Sequence, residues 1–136
     1  MNRSDTLLST KTTYFPNSLT IGDGFTFGNN TIFGDNTKFG NDIKFRDNMK
    51  IGNNTRFGNN IEFGNYTEIG RNAAFGNNIS FGTNVNIGPY SQFNGQVTFS
   101  ENVIIGDNTI FNGNVFYKDI PTGKNISYSY KPIYSK

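Results

Sequence analysis

Side chains able to carry chemistry are few in this sequence, and they are spaced in a way that works against catalysis. His and Cys are absent from all 136 residues. Without His the chain lacks the acid–base group that titrates near neutral pH and the commonest metal ligand. Without Cys it lacks disulfides, thiol catalysis and thiolate metal sites. Asp, Glu, Lys and Tyr remain, but a general base drawn from them needs a position and an environment of its own. Here the charged residues recur on a beat instead, with Lys44 eighteen residues before Glu62 and Lys50 eighteen before Glu68. No catalytic, cofactor-binding or metal-binding residue is expected. Two kinds of side chain are left that could bind something. Tyr66 and Tyr90 stand where the surrounding pattern has Asn, and exposed aromatic corners can stack on sugars. Ile104, Ile110 and Phe116, with the tail residues Tyr128, Tyr130 and Tyr134, form an apolar and aromatic group near the C-terminus, the candidate interaction surface.

The beat is a six-residue repeat. From Ile21 to Phe116 the chain divides without a gap into sixteen hexads, such as Phe27-Gly28-Asn29-Asn30-Thr31-Ile32. Position one is always Phe or Ile, and position two is Gly except at Arg46, Asn94, Ser100 and Asn112. Position five is apolar or small, and position six is mostly polar. Positions five and one lie two residues apart, so on an extended strand they share a side, which must be the interior. Gly, Asn and Asp at positions two to four are expected to supply the positive φ of a tight bend.

A longer period closes the figure. From Phe39 position one reads Phe, Phe, Ile repeatedly, and position five has a large column (Phe25, Ile43, Ile61, Ile79, Val97, Val115) and a small one (Thr37, Thr55, Ala73, Ser91, Thr109). Residues eighteen apart share a size class, as they must if three hexads close one triangular coil and like positions stack. The expected fold is all-β: a single-stranded parallel β-helix, a triangular solenoid of about five coils, roughly 25 Å long at the usual strand spacing. Residues 1–20 and 117–136 fall outside the repeat and are read as caps, with Ile126–Tyr130 folding back as a strand over the end. At position six, Lys44 should stack on Glu62 and Lys50 on Glu68. The recurrent Asn of position four is expected to form an amide ladder.

Ile105-Gly106-Asp107-Asn108-Thr109-Ile110 and Ile51-Gly52-Asn53-Asn54-Thr55-Arg56 resemble the hexapeptide repeat of the left-handed parallel β-helix family. The resemblance covers residues 21–116 and implies the left hand; the right-handed, filament-forming bactofilins are the alternative fold. The best known members of the family are acyltransferases whose catalytic base is a His, and its carbonic anhydrases hold zinc through three His. This chain has no His to carry over and no insertion between hexads.

The expected function is a non-catalytic structural or interaction protein, a rigid scaffold or assembly component of a phage, viral or cellular structure. It would engage protein partners or copies of itself through its ends or faces. An acyltransferase-like enzyme or degenerate relative is the alternative, and a glycan-binding module the third reading. A net charge of +2 gives no reason to expect nucleic acid or a membrane surface as partner. The polar start Met1–Asp5, followed by only Leu7-Leu8, is no classical secretion signal, so a cytoplasmic or virion location is expected. Because stacked Phe residues dominate the interior, Phe63→Ala in mid-stack should cost about 3–5 kcal/mol, measured by urea denaturation.

Overall fold

Six-residue spacing of inward side chains leaves room for only two or three residues of strand between bends. Twenty such strands, and no helix, occur among the described residues. The computed structural model describes residues 11–119 and 121–134; residues 1–10 of the predicted N-terminal cap lie outside the described residues. The strands form three parallel sheets of six, seven and seven strands, the faces of a triangular prism. The first face stacks Thr13–Phe15, Thr31–Phe33, Met49–Ile51, Thr67–Ile69, Val85–Ile87 and Val103–Ile105, with Thr122 bridged onto Ile104. The second stacks Thr20–Ile21, Lys38–Phe39, Arg56–Phe57, Ala74–Phe75, Gln92–Phe93, Ile110–Phe111 and Ser127–Tyr128. The third stacks Thr26–Phe27, Ile43–Phe45, Ile61–Phe63, Ile79–Phe81, Val97–Thr98, Val115–Tyr117 and Ile133–Tyr134.

Pairing runs at the eighteen-residue offset, as in Ile43 on Ile61 and Ile61 on Ile79. The interior is two aromatic columns and one largely aliphatic column. Phe57, Phe75, Phe93 and Phe111 stack at 4.2–4.7 Å between centroids on the second face. Phe45, Phe63 and Phe81 stack at 4.6–4.8 Å on the third. Between the columns the rings meet edge to face, Phe57 on Phe63 at 5.3 Å, so each ring satisfies both favoured aromatic geometries. The small column of the second face is fully buried. Its hydroxyls donate to the position-two carbonyl three residues back, Thr109 to Gly106 at 2.9 Å and Ser91 to Gly88 at 3.0 Å. A Thr or Ser there fits the narrow corner and also satisfies a corner carbonyl.

The prism has about seven coils rather than five, about 34 Å of stack. The flanks read as caps supply the additional strands. Thr13, Tyr14 and Phe15 pair with Thr31, Ile32 and Phe33, so a hexad beginning at Phe15 precedes the recognised repeat. Ser127–Tyr128 and Ile133–Tyr134 join their sheets in parallel, at an offset of seventeen (Ser127 on Ile110, Ile133 on Phe116). The tail thus continues the stack with one residue fewer, instead of folding back over it.

The corners differ from expectation in an instructive way. Positive φ belongs to position four, from Asn30 at 61° to Asn108 at 62° with Gln96 excepted, and among the position-two glycines none has it. Position-two Gly serves a different need. The Oδ1 of position three in the coil below accepts the backbone N–H of position three above, as in Asn59 N–H to Asn41 at 2.8 Å and Asn77 N–H to Asn59 at 2.7 Å. That oxygen sits where a Cβ on the glycine above would be built: Asn59 Oδ1 beneath Gly76, Asn41 Oδ1 beneath Gly58. The expected amide ladder at position four reduces to the single bond from Asn78 to Asn60, 3.1 Å, among the bonds described. The main ladder is amide to backbone, one position earlier. Where Gly moves, the ladder moves with it. In Phe93-Asn94-Gly95-Gln96 the glycine is one place later, and Gln96 N–H takes Asn77 Oδ1 at 2.7 Å.

Gly76→Ala should therefore destabilise by about 1–3 kcal/mol through overpacking. Gly28→Ala, in the first coil with nothing within 4 Å of the added carbon, should stay within about 0.5 kcal/mol. Paired denaturant melts of the two variants measure the difference.

Candidate functional site

Outward chemistry lies at position six on the faces and at the corners. The predicted charge pairs form in register: Lys44 Nζ is 3.8 Å from Glu62 Oε1 on the third face, and Lys50 Nζ 3.9 Å from Glu68 Oε1 on the first. All four side chains are well exposed, so each pair contributes at most about 1 kcal/mol and chiefly favours this register.

The six predicted interface residues do not make one patch. Ile104 projects from the first face, Ile110 from the second and Phe116 from the third, opposite Asn86, Gln92 and Thr98 of the coil below. They form a belt around one level, one residue per face, with Ile133 above Phe116. The signal was in the spacing, because residues six apart must fall on successive faces. Tyr128 and Tyr134 occupy position one and extend the interior columns, stacked on Phe111 at 5.3 Å and Tyr117 at 5.6 Å. Only Tyr130 is a surface side chain of the corner type, 59% exposed.

Tyr117 was missed by sequence reasoning because it lies just past the last recognised hexad. It is buried (1% exposed), and its hydroxyl lies 2.8 Å from that of Tyr128. Burial pushes the Tyr117 phenol well above its ordinary range, reinforced by the bond to Tyr128; burial also raises Tyr128. Tyr in place of Phe brings a hydroxyl pair into the terminal layers of a column that is otherwise wholly apolar.

The first face is the most sculpted. Shallow recesses succeed one another up it: one lined by Ile32, Lys50 and Tyr66, another by Tyr66, Glu68 and Asn86. Further recesses are lined by Lys50, Arg71 and Pro89, and by Asn86, Ile104 and Thr122. Tyr66 stands at the corner entering this face and Tyr90 at the corner leaving it, 59% and 54% exposed. Arg71 lies over the Tyr90 ring, with its guanidinium carbon 5.6 Å from the centroid. Both tyrosines are in the left-handed region, each at φ 59°. The other positive-φ corners of the stack use Asn, Asp, Ser or Gly, and a bulky side chain there costs about 1 kcal/mol or more.

Among the described residues no group of three His, Cys, Asp or Glu side chains could hold a metal ion, and no helix is long and apolar enough to cross a membrane. No known protein family, curated protein or solved structure matches the chain. What the coordinates define is therefore a fold class, a triangular parallel β-solenoid with differentiated faces.

The tyrosine layer gives a pH signature. Folding keeps Tyr117 and Tyr128 neutral, while in the unfolded chain they ionise near a pH of about 10. Their contribution to stability is complete below that pH and is lost as pH rises above it. The parent's denaturation midpoint should therefore fall more steeply above a pH of about 10 than that of Tyr117→Phe, followed by urea melts at stepped pH.

Proposed function

We propose that this chain is a non-catalytic structural or interaction module, a stiff prism that presents side chains on three faces at fixed spacing. The observation that carries this reading is that most of the acidic groups are engaged in stacking. The carboxylates of Asp23, Asp35, Asp47 and Asp107 accept backbone N–H groups of the next coil at 2.7–2.9 Å. Glu62 and Glu68 are paired with lysines. These groups hold coils together, and a general base would have to be withdrawn from that task. The repeat resemblance to hexapeptide-repeat acyltransferases extends to the scaffold and brings no His with it.

The prolines argue that the module is of fixed length and engages partners through its faces. In the stack, N–H groups of positions five and one donate upward, as in Val97 to Asn114 and Phe99 to Phe116. Those of positions two and six donate downward, as in Gly34 to Phe15 and Lys38 to Leu19. Pro16 holds position two of the first coil, where the donor would point down and out. By register, Pro121 and Pro132 hold position five of the last coil, where it would point up and out. Proline at an outward donor makes an edge a poor template for another strand.

Light scattering over a wide concentration range, with negative-stain imaging, tests this. The parent should remain a discrete particle, and Pro16→Thr combined with Pro132→Val should show concentration-dependent end-to-end growth. Filaments formed by the parent would overturn the fixed-length reading.

A further inference from the structure

We propose that the first face binds a neutral oligosaccharide, held between Tyr66 and Tyr90. Three observations converge on this face. The first is conformational. Tyr66 and Tyr90 sit at φ 59° on corners where Asn is the common residue and left-handed backbone is far easier. Neither ring is needed by the core, since both are more than half exposed. A strained, exposed aromatic that the core does not need is most simply explained by what it contacts from outside.

The second observation is placement. One ring stands at each margin of the same face, and one coil separates them in height: Tyr66 precedes Thr67–Ile69, and Tyr90 follows Val85–Ile87. Six residues of chain cross a face, so the Cα atoms of the two tyrosines are at most about 20 Å apart laterally. That span suits several linked sugar rings and is too wide for one. The floor is a run of shallow recesses rather than an enclosed cavity, the form taken by a site for an extended, rigid ligand.

The third is chemistry. The floor offers donors and acceptors in mixture: Lys50 and Glu68 as a pair, Asn86 beside them, and Arg71 held against Tyr90. Sugar hydroxyls both donate and accept, and the apolar C–H faces of the rings pack on aromatic surfaces. Glu68 in mid-floor disfavours a polyanion such as a nucleic acid. Above it the chain carries no charged residue from 72 to 100, so amides and hydroxyls alone meet the ligand there. The site leaves the interior untouched and is compatible with a scaffold role.

The test is a glycan array of neutral and acidic oligosaccharides probed with the labelled whole chain, with calorimetric titration of those retained. Neutral oligosaccharides should be retained, and Tyr66→Asn and Tyr90→Asn should each weaken binding at least tenfold. Because Asn is the residue common at these corners, both variants should melt no lower than the parent, which separates lost binding from lost folding. Tyr130→Ala, at a corner bordering the other two faces, should leave binding unchanged. The proposal is overturned if no neutral glycan is retained, if only acidic glycans are retained, or if binding is indifferent to the two Asn substitutions.

Discussion

One shared point in space governs this structure: the place beneath each position-two residue where an Asn or Asp side-chain oxygen of the coil below reaches up. In Asn41-Asn59-Asn77 each oxygen closes a hydrogen bond to the next coil's backbone. A Cβ on Gly58 or Gly76 would fall on that oxygen. Glycine is required there by approach and not by backbone conformation. Gly at two and Asx at three meet in one corner device, and where no Asx lies beneath, at Gly88 and Gly106, the backbone of the coil below alone crowds the glycine. The buried rings supply most of the hydrophobic stabilisation, the backbone hydrogen bonds between strands set the spacing of the coils and so how the rings can stack, and the device ties each bend to the one below it.

The same device explains its own exceptions. Arg71 offers no acceptor at position three, and the residue eighteen later is Pro89, which has no N–H to satisfy. The ladder resumes with Asp107, whose Oδ1 takes Lys124 N–H at 2.9 Å. In the first coil Pro16 takes the place of glycine. Among the described residues no coil lies beneath it, so neither an oxygen to avoid nor an acceptor to reach is present there. Ser100 at position two donates its hydroxyl to Phe81 O at 3.1 Å, above a Thr rather than an Asx at position three. Pro89 and Ser100 thus stand where the coil below offers no Asx oxygen, and Asn94 and Asn112 where the glycine comes one place later. Arg46 is the departure that nothing in the structure explains; Asp47 N–H still reaches Asn29 Oδ1 at 2.9 Å beside it.

This also sets what was legible in the sequence. The triangular coil, the aromatic columns and the Lys–Glu register could be read directly, because each depends on a residue type recurring at eighteen. The outer coils could not. The hexad beginning at Phe15 has Pro16 where the signature has glycine, and the single-residue shortening after Thr122 breaks the period by which the tail would be recognised. Tyr128 and Tyr134 read as surface residues because Tyr replaces Phe where columns approach solvent; Tyr134 is indeed exposed, but both rings also stack on the columns as Phe does. The position-four amide ladder was misplaced for a related reason. Asn recurs at both three and four, and composition alone does not separate an Asn chosen for left-handed backbone from one chosen for its oxygen.

Separating these two kinds of Asn also separates fold from function. Position three is constrained by the coil above, and position one by the column. Position four is constrained chiefly through its φ, so other side chains can stand there at the cost of strain. Position six is free wherever its in-register neighbours tolerate it. Selection on what the prism contacts can therefore act on positions four and six without disturbing a coil. Tyr66 and Tyr90 are position-four residues that tolerate a strained backbone. Ile104, Ile110 and Phe116 are position-six residues, exposed or half-buried, on three different faces. A repeat this regular is informative about function mainly where it accepts a cost that its own stacking does not require, and the corners of the first face are where that cost is accepted twice.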